Sequence, residues 1–420
     1  MRITVGSILL LLSFSASTRV LAQPVEQKPP PERLTIAWAV DYALRTHPGI
    51  AQLEAKRAST DAERRLASVL GSPTLMYARE GIDSGVFSEE RLTIAETLNS
   101  PLAARLAKRG VRLDVDAIDL DLVAERRAVA RRVKIAYLDY VVATLLTSYR
   151  EESVRLAEQL LQATERREAA GEAAVVDVLR AQVELSNVRL SLVDAERRGA
   201  GARTGFLAAA GISPDVRDTP IVVEDLTDLM ARSPEIGTTL PIDTLPVVAA
   251  EDARSGASDA RRREATARMI PDLVVDVFSQ NFGDGFGPYG FQLGVRLPFL
   301  GPGAWGQRKK AAAAYLESTA RVDLARVGAQ ARVDSTFDAL TASRDALALY
   351  EADVTDRVQR LVDLAARGYE LGEVSLTQVL DARRSALQSR EARVQILADY
   401  ASQLIYWEEL SGRELLFTGE

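Results

Sequence analysis

The sequence predicts a mainly α-helical protein with a small β part, in which one unit occurs twice. The unit consists of a helix, a two-stranded hairpin, a very long helix and a return helix. Three landmarks recur at an offset of about 200 residues. They are the start of the first helix (Pro48 and Pro246), the start of the first strand (Pro73 and Pro271) and the turn before the return helix (Gly171 and Gly372). A near-constant offset over three landmarks indicates a duplication.

The first 22 residues have the pattern of a secretory signal peptide. Arg2 supplies a positive charge, residues 8–12 are apolar, and Ala22 ends a small-residue cleavage site. The apolar run is too short to span a membrane. We therefore expect an exported protein whose mature chain starts with a proline-rich leader, residues 23–33. No cysteine follows the signal, so no lipidated N-terminus is expected.

The composition argues against most catalytic and metal-binding classes. The chain has no cysteine and one histidine, His47, which excludes disulfides, thiol nucleophiles and His-rich zinc sites. The net charge of −7 is mild and the charges are interleaved, so no nucleic-acid partner is expected. The sequence thus predicts no enzyme, no catalytic residue, no cofactor and no resident metal. His47 is expected at a helix boundary.

Repeat 1 covers residues 34–210. The predicted elements are a helix at 36–45, a helix at 48–70, strands at about 74–81 and 91–98, a long helix at 101–168 and a return helix at 174–210. Thr35 is expected to cap the first helix, and Pro48 suits the first position of the second helix. Gly71 and Pro73 are expected to terminate that second helix.

An inter-repeat segment, residues 211–244, separates the two repeats. Its four prolines predict an irregular belt beside the helix junctions, shared with the C-terminal tail at 412–420. Repeat 2 covers residues 245–411. Its predicted elements are a helix at 246–269, strands at about 273–282 and 289–299, an unbroken long helix at 305–367 and a return helix at 374–410.

The helix lengths predict how each unit folds. In both repeats the helix before the strands and the return helix are together about as long as the long helix, so the two would stack end to end along it. Two seven-residue series share the return helix of repeat 1: Val178, Leu185 and Leu192, and Val176, Val183 and Leu190. Two such seams predict helical neighbours on both sides.

The last strand predicted in repeat 2 has the clearest alternation in the chain. Six apolar residues occupy one face: Tyr289, Phe291, Leu293, Val295, Leu297 and Phe299. Apolar-out strands of this length with aromatic ends are typical of transmembrane β-barrels, so we expect this face to contact lipid. Four strands cannot close a barrel, which requires an oligomer. Glycines on the inner face suggest a wide lumen and favour a trimer over a dimer.

Two signatures carry a family resemblance, one before each return helix: residues 171–179 (GEAAVVDVL) and 369–381 (YELGEVSLTQVLD). With the duplicated prolines, they resemble the outer-membrane efflux protein (TolC-like) family over essentially the whole mature chain. The resemblance implies a homotrimer in the cell outer membrane, with a 12-stranded β-barrel on a long α-helical periplasmic barrel. It implies the exit duct of a tripartite pump, with a periplasmic adaptor and an inner-membrane RND transporter as partners. The tip at residues 372–376 (GEVSL) and the strand from Phe291 to Phe299 are most similar to the heavy-metal (cation) efflux branch.

The resemblance also assigns roles to residues near the two glycine turns. Asp177 and Asp381 match positions of the family's acidic gate, Gln378 stands where an acid is expected, and Tyr369 matches a tyrosine that helps to close the entrance. Glu172 and Glu373 are further gate candidates, because a ring of carboxylates at a narrow opening attracts cations. The turns themselves are expected to dock the adaptor through Gly171, Val175, Gly372 and Val374.

Three other functions remain open at the level of the sequence. The same fold would serve a type I secretion system that exports a polypeptide. A soluble periplasmic coiled-coil scaffold would explain the helices, although not the apolar strand at 289–299. An enzyme is disfavoured by the composition. The sequence does not name the cargo, the adaptor or the resting state of the gate.

Overall fold

A computed structural model of the chain describes residues 31–80, 89–213, 219–227, 240–281 and 286–417. The predicted signal peptide, most of the leader, the end of the tail and the ends of the first and third predicted strands lie outside these residues. So do two stretches of the inter-repeat segment, 214–218 and 228–239.

The fold is mainly helical with one small sheet, as predicted. The helices are α1 (Ile36–Thr46), α2 (Pro48–Leu66), α3 (Pro101–Ala169), α4 (Val175–Ala209), α5 (Pro246–Ala267), α6 (Pro302–Asp353), α7 (Thr355–Glu370) and α8 (Leu376–Ser411). The strands are β1 (Thr74–Glu80), β2 (Glu89–Leu98), β3 (Asp272–Asn281) and β4 (Phe286–Arg296). None of these helices is long and apolar enough to cross a membrane.

The two repeats meet side by side along their whole length. The four strands form one antiparallel sheet in the order β1-β2-β3-β4, so β2 of repeat 1 pairs with β3 of repeat 2. Below the sheet α3 contacts α2 on one side and α5 on the other, and α5 contacts α6. Further down, α3 contacts α4 and α8, and α8 contacts α7. At every level, an element of repeat 1 forms one edge and an element of repeat 2 forms the other.

The helix starts follow the local sequence. Thr35 caps α1 by accepting a hydrogen bond from the backbone N–H of Trp38, at 3.3 Å. His47 separates α1 from α2, where its ring nitrogen accepts from the Gly49 N–H at 3.1 Å, and Pro48 occupies the first turn of α2. Both boundary assignments made from the sequence are confirmed.

Three predicted element ends are wrong. The long helix of repeat 2 is interrupted at Val354, where the β-branched pair Val354 and Thr355 lowers helix propensity. Strand β4 ends at Arg296 because Pro298, which has no N–H, starts a short 3₁₀ turn, so Leu297 and Phe299 lie outside the strand. Helix α2 ends before Gly71, whose N–H instead donates to the carbonyl of Thr97 at 3.2 Å.

The main core surrounds Tyr137 at the level of the inter-repeat segment. The Tyr137 hydroxyl donates to the carbonyl of Val222 at 2.9 Å and accepts from the N–H of Glu224 at 3.1 Å. Its ring packs against Phe206 and Phe417, and burial raises the pKa of the phenol. Tyr137 thus stays a neutral donor that ties the inter-repeat segment and the C-terminal tail to α3.

A buried ion pair fixes the C-terminal tail beside this core. Lys134 of α3 and Glu408 of α8 are each 8% exposed, with Nζ and Oε2 2.7 Å apart. Lys134 also donates to the carbonyl of Leu416 at 3.0 Å, and Glu408 accepts from the N–H groups of Leu415 and Leu416. Both charges are therefore paired and hydrogen-bonded, which offsets their desolvation.

Replacing Glu408 by leucine should destabilise the fold strongly, because it leaves the Lys134 ammonium buried without a counter-charge. We expect a loss of about 3–5 kcal/mol, measured by thermal or denaturant unfolding of the full-length protein in detergent. Glu158→Leu is the matched control, because it breaks an exposed pair with Arg189 and should cost less than about 1 kcal/mol. Equal stability of the two variants would contradict this account.

Candidate functional site at the helical tips

The two turns at the ends of α3 and α7 have the same backbone geometry. Gly171 and Gly372 adopt left-handed φ angles of 76° and 77°, which favour glycine. Each turn closes with one 2.8 Å hydrogen bond, from the N–H of Glu172 to the Arg167 carbonyl and from that of Glu373 to the Gly368 carbonyl. The tips of the two repeats are therefore structurally equivalent turns.

Arg167 connects the two tips within one chain. Its guanidinium donates to the backbone carbonyl of Tyr369 at 2.7 Å and lies 4.7 Å from the centroid of the Tyr369 ring. The Tyr369 hydroxyl is 3.2 Å from the Thr164 hydroxyl. We call Thr164, Arg167 and Tyr369 the tip lock. A hydrogen bond to a charged group and a cation–π contact each contribute to holding the turns together.

The tip lock rests on a small apolar cluster. Tyr369 is only 8% exposed and packs with Leu160, Ala181, Leu376 and Val379. The Nε of Arg167 has no hydrogen-bond partner, and its nearest carboxylate, that of Glu172, is 3.7 Å away. The Arg167 guanidinium is thus held mainly by the backbone carbonyl and the ring of Tyr369, and the Glu172 side chain remains largely exposed.

The remaining gate candidates lie in different environments. Asp177 lies in the first turn of α4 and pairs with Arg180 at 3.7 Å. Asp381 is exposed on α8 and forms no ion pair within the described part of the chain. Gln378 caps α8, because its amide oxygen accepts from the Ser375 N–H at 2.9 Å. The gate role of these residues stays a prediction.

The glycine at position 368 is required by the shape of the second tip. A Cβ on Gly368 would lie 2.5 Å from Cγ2 of Val374, which folds back over it. Val374 is therefore half-buried, whereas Val175 at the first tip is exposed. The expected docking of an adaptor at these turns stays a prediction.

A second candidate surface is the apolar face of the sheet. In β4, Tyr289 and Phe291 are 86% and 74% exposed. The register places one apolar face across all four strands: Leu75, Tyr77, Leu92, Ile94, Leu273, Val275, Val277, Tyr289, Phe291, Leu293 and Val295. Glu96 is the one charge among the central residues of this face. Lipid contact is the prediction that this surface supports.

The opposite face of the sheet is less open than its glycines suggest. A Cβ on Gly290 would lie 2.4 Å from the ring of Phe278, so that ring fills the space above the glycine. The Arg91 guanidinium covers the same ring at 5.2 Å from its centroid. Gly290 is therefore explained by close packing, and it does not by itself favour a wide lumen.

The described residues contain no cluster of potential metal ligands. No group of three or more His, Asp or Glu residues among them could hold a metal ion.

Residues 245–413, nearly all of repeat 2, match the family model described as outer membrane efflux protein. This part of the chain is similar to the outer membrane efflux protein family. The resemblance read from the two signatures is thereby confirmed.

One similar protein and two similar solved structures match most of the chain. The cobalt-zinc-cadmium resistance protein CzcC of Cupriavidus metallidurans is 26% identical over 318 residues, which cover 74% of this chain and 70% of that protein. The solved structure of CusC matches with a TM-score of 0.77 at 16% identity, covering 90% of this chain and 92% of that one. The Campylobacter jejuni outer membrane channel CmeC gives a TM-score of 0.75 at 15% identity, covering 92% and 87%.

Arg167→Ala should loosen both tips without unfolding the chain, because it removes the hydrogen bond to Tyr369 and the cation–π contact. A loss of roughly 2 kcal/mol of local stability should speed amide hydrogen exchange near residues 164–180 and 365–380 by about 30-fold. Arg166→Ala is the matched control, since the Arg166 side chain bonds only within its own helix. Equal exchange rates in the two variants would mean that the tips are held without Arg167.

Proposed function

We propose that the protein is the outer-membrane exit duct of a tripartite efflux pump of the RND type, and not an enzyme. One observation carries the proposal: a four-stranded sheet with an exposed apolar face and two open edges stands on long helices in a chain of the efflux family. Such a sheet suits a lipid bilayer only when its edges are closed. The long helices suit a conduit across the periplasm, since the 69 residues of α3 span about 100 Å.

The arrangement of edges supports a ring of identical chains. Repeat 1 supplies β1, α2 and α4 at one edge, and repeat 2 supplies β4, α6 and α7 at the other. Copies could therefore join head to tail, with β1 of one chain beside β4 of the next. Three copies would give a 12-stranded barrel on a helical barrel, the assembly that the family resemblance implies.

Exposed apolar stripes mark the helical part of the same interface. On α4 the side chains of Val176, Val183 and Leu190 are exposed at seven-residue spacing. On α7, at the other edge, Leu361 and Leu364 are exposed. A heptad-spaced apolar series on one edge helix and an apolar pair three residues apart on the other suit a helix–helix contact between neighbouring chains.

Val183→Glu should therefore weaken the trimer, because it places a carboxylate in the apolar contact between α4 and the α7 of the next chain. We expect part of the protein to run as monomer in light scattering of the detergent-solubilised sample. Gln182→Glu adds the same charge at an adjacent exposed position outside the stripe and should leave the trimer intact. If the Val183→Glu variant remained fully trimeric, the α4 stripe would not be part of the interface between chains.

The tips form the periplasmic end of the proposed duct. We assign the entrance to the two turns, with Gly171, Val175, Gly372 and Val374 as the contact for a periplasmic adaptor. Asp177 and Asp381, with Glu172 and Glu373 nearby, would surround the opening with carboxylates and favour cations. Alanine at both aspartates should lower the cation selectivity of the channel in planar-bilayer recordings.

Heavy-metal cations are the cargo class best supported, with drugs as the alternative. The relative CzcC is named for resistance to cobalt, zinc and cadmium, and it matches 74% of this chain. The proposed acidic entrance suits cations as well. No structural feature favours a type I protein secretion duct, which would share this fold, and the exposed sheet face argues against a soluble scaffold.

Deletion of the gene should make cells selectively sensitive to divalent heavy metals. A susceptibility panel would compare cobalt, zinc, cadmium, copper and silver with lipophilic drugs and detergents, in the deletion strain and after complementation. Sensitivity to drugs alone would move the protein to a multidrug pump. If susceptibility to every compound were unchanged and a secreted polypeptide were lost, the protein would belong to a secretion system and not to an efflux pump.

A further inference from the structure

Near their starts, the two longest helices carry exposed basic residues with no acidic partner. Lys108 and Arg109 in α3 correspond to Lys309 and Lys310 in α6, each seven or eight residues after the proline that starts the helix. All four side chains are exposed. Among the described residues, none of the four has a carboxylate within 4.0 Å. We call these four residues the basic belt.

The basic belt has no acidic neighbour between it and the start of its helix. The first acid of α3 is Asp114, and the first acid of α6 is Glu317. Every charged residue before these two acids in either helix is Lys or Arg. The counter-charge for the belt is therefore expected from outside the chain.

The basic belt lies a short distance along the two helices from the strands of the sheet. Seven or eight residues of helix place it roughly 10 Å beyond the helix start. Between belt and sheet, the Trp305 indole donates to the carbonyl of Phe299 at 3.0 Å, and Arg308 lies 5.9 Å from the Trp305 ring. An amphipathic aromatic ring between an apolar surface and a row of cations matches the boundary of a bilayer.

We propose that the basic belt binds the phosphate groups of anionic phospholipids in the periplasmic leaflet of the outer membrane. The proposal rests on the proposed function, because it requires the sheet to be embedded in that membrane. Long Lys and Arg side chains can extend along the helix toward the headgroups while their stems cover apolar surface. The belt would then set the depth of the sheet in the bilayer.

The test uses the full-length trimer in neutral detergent, titrated with dioctanoyl phosphatidylglycerol, dioctanoyl phosphatidylcholine or inorganic phosphate. Native mass spectrometry would count bound lipids, and thermal melting would report stabilisation. Wild type should bind and be stabilised by phosphatidylglycerol in preference to phosphatidylcholine. The variant with glutamine at all four belt positions should bind phosphatidylglycerol at least tenfold more weakly, since each basic residue near an anionic surface contributes to the attraction.

The matched control removes the same charge elsewhere on the molecule. Glutamine at Arg155, Arg166, Arg332 and Arg360, which are exposed and distant from the sheet, should leave phosphatidylglycerol binding unchanged. An equal loss of phosphatidylglycerol binding in both variants would mean that only the net charge of the protein matters. That result would overturn the proposed role of the basic belt. Stabilisation by inorganic phosphate alone, or undiminished lipid binding by the belt variant, would overturn it as well.

A flotation assay separates this inference from the proposed function. Protein that fails to reconstitute into neutral phosphatidylcholine vesicles and to float with them would contradict membrane embedding itself. Protein that floats with neutral vesicles but shows no preference for phosphatidylglycerol would retain the proposed function and refute the belt alone.

Discussion

The open edges of the four-stranded sheet are the constraint on which the rest of the molecule depends. Within the described residues, β1 pairs only with β2, and β4 pairs only with β3. Each edge presents unpaired N–H and C=O groups, which are costly wherever water is excluded. The exposed apolar face excludes water from one side if it meets lipid. In the proposed duct, further copies of the chain would supply the missing neighbours at these edges.

The duplication provides those neighbours in a regular way. The contact between the repeats, β2 with β3 and α3 with α5 and α8, already joins one unit to the next side by side. A contact between chains would join the same two kinds of edge in the same order. In the proposed trimer, three chains would form a ring of six similar units, and the two tips, two hairpins and two long helices of each chain would follow from that arrangement.

The parts of this structure that follow from local sequence could be predicted, and those that depend on distant partners could not. Prolines, glycine turns and alternating apolar residues predicted the helices, the tips and the sheet. The end of β4 was foreseeable, because Pro298 cannot donate to a ladder. The cap formed by Ser375 and Gln378 also has a local signature, a serine followed three residues later by glutamine, although Gln378 was assigned to the gate.

Long-range pairs left no such signal. Arg167 and Tyr369 are about 200 residues apart, and neither stands in a pattern that names its partner. The same holds for Lys134 and Glu408. In the sequence they cannot be distinguished from surface charges of amphipathic helices, and only the contact between α3 and α8 shows that they pair. The interruption at Val354 is a further case, since two β-branched residues weaken a helix without deciding that it breaks.

The tip lock shows where the two repeats have diverged and why this matters for opening. Arg167 of repeat 1 corresponds to Gly368 of repeat 2, and Tyr369 corresponds to Glu168. The lock therefore joins the two tips of one chain. Between neighbouring chains the corresponding residues would be Gly368 and Glu168, which cannot form the same contacts. In the proposed trimer, six tips would form three locked pairs with weaker contacts between pairs. The entrance would then open first between chains, while each pair moves as one body.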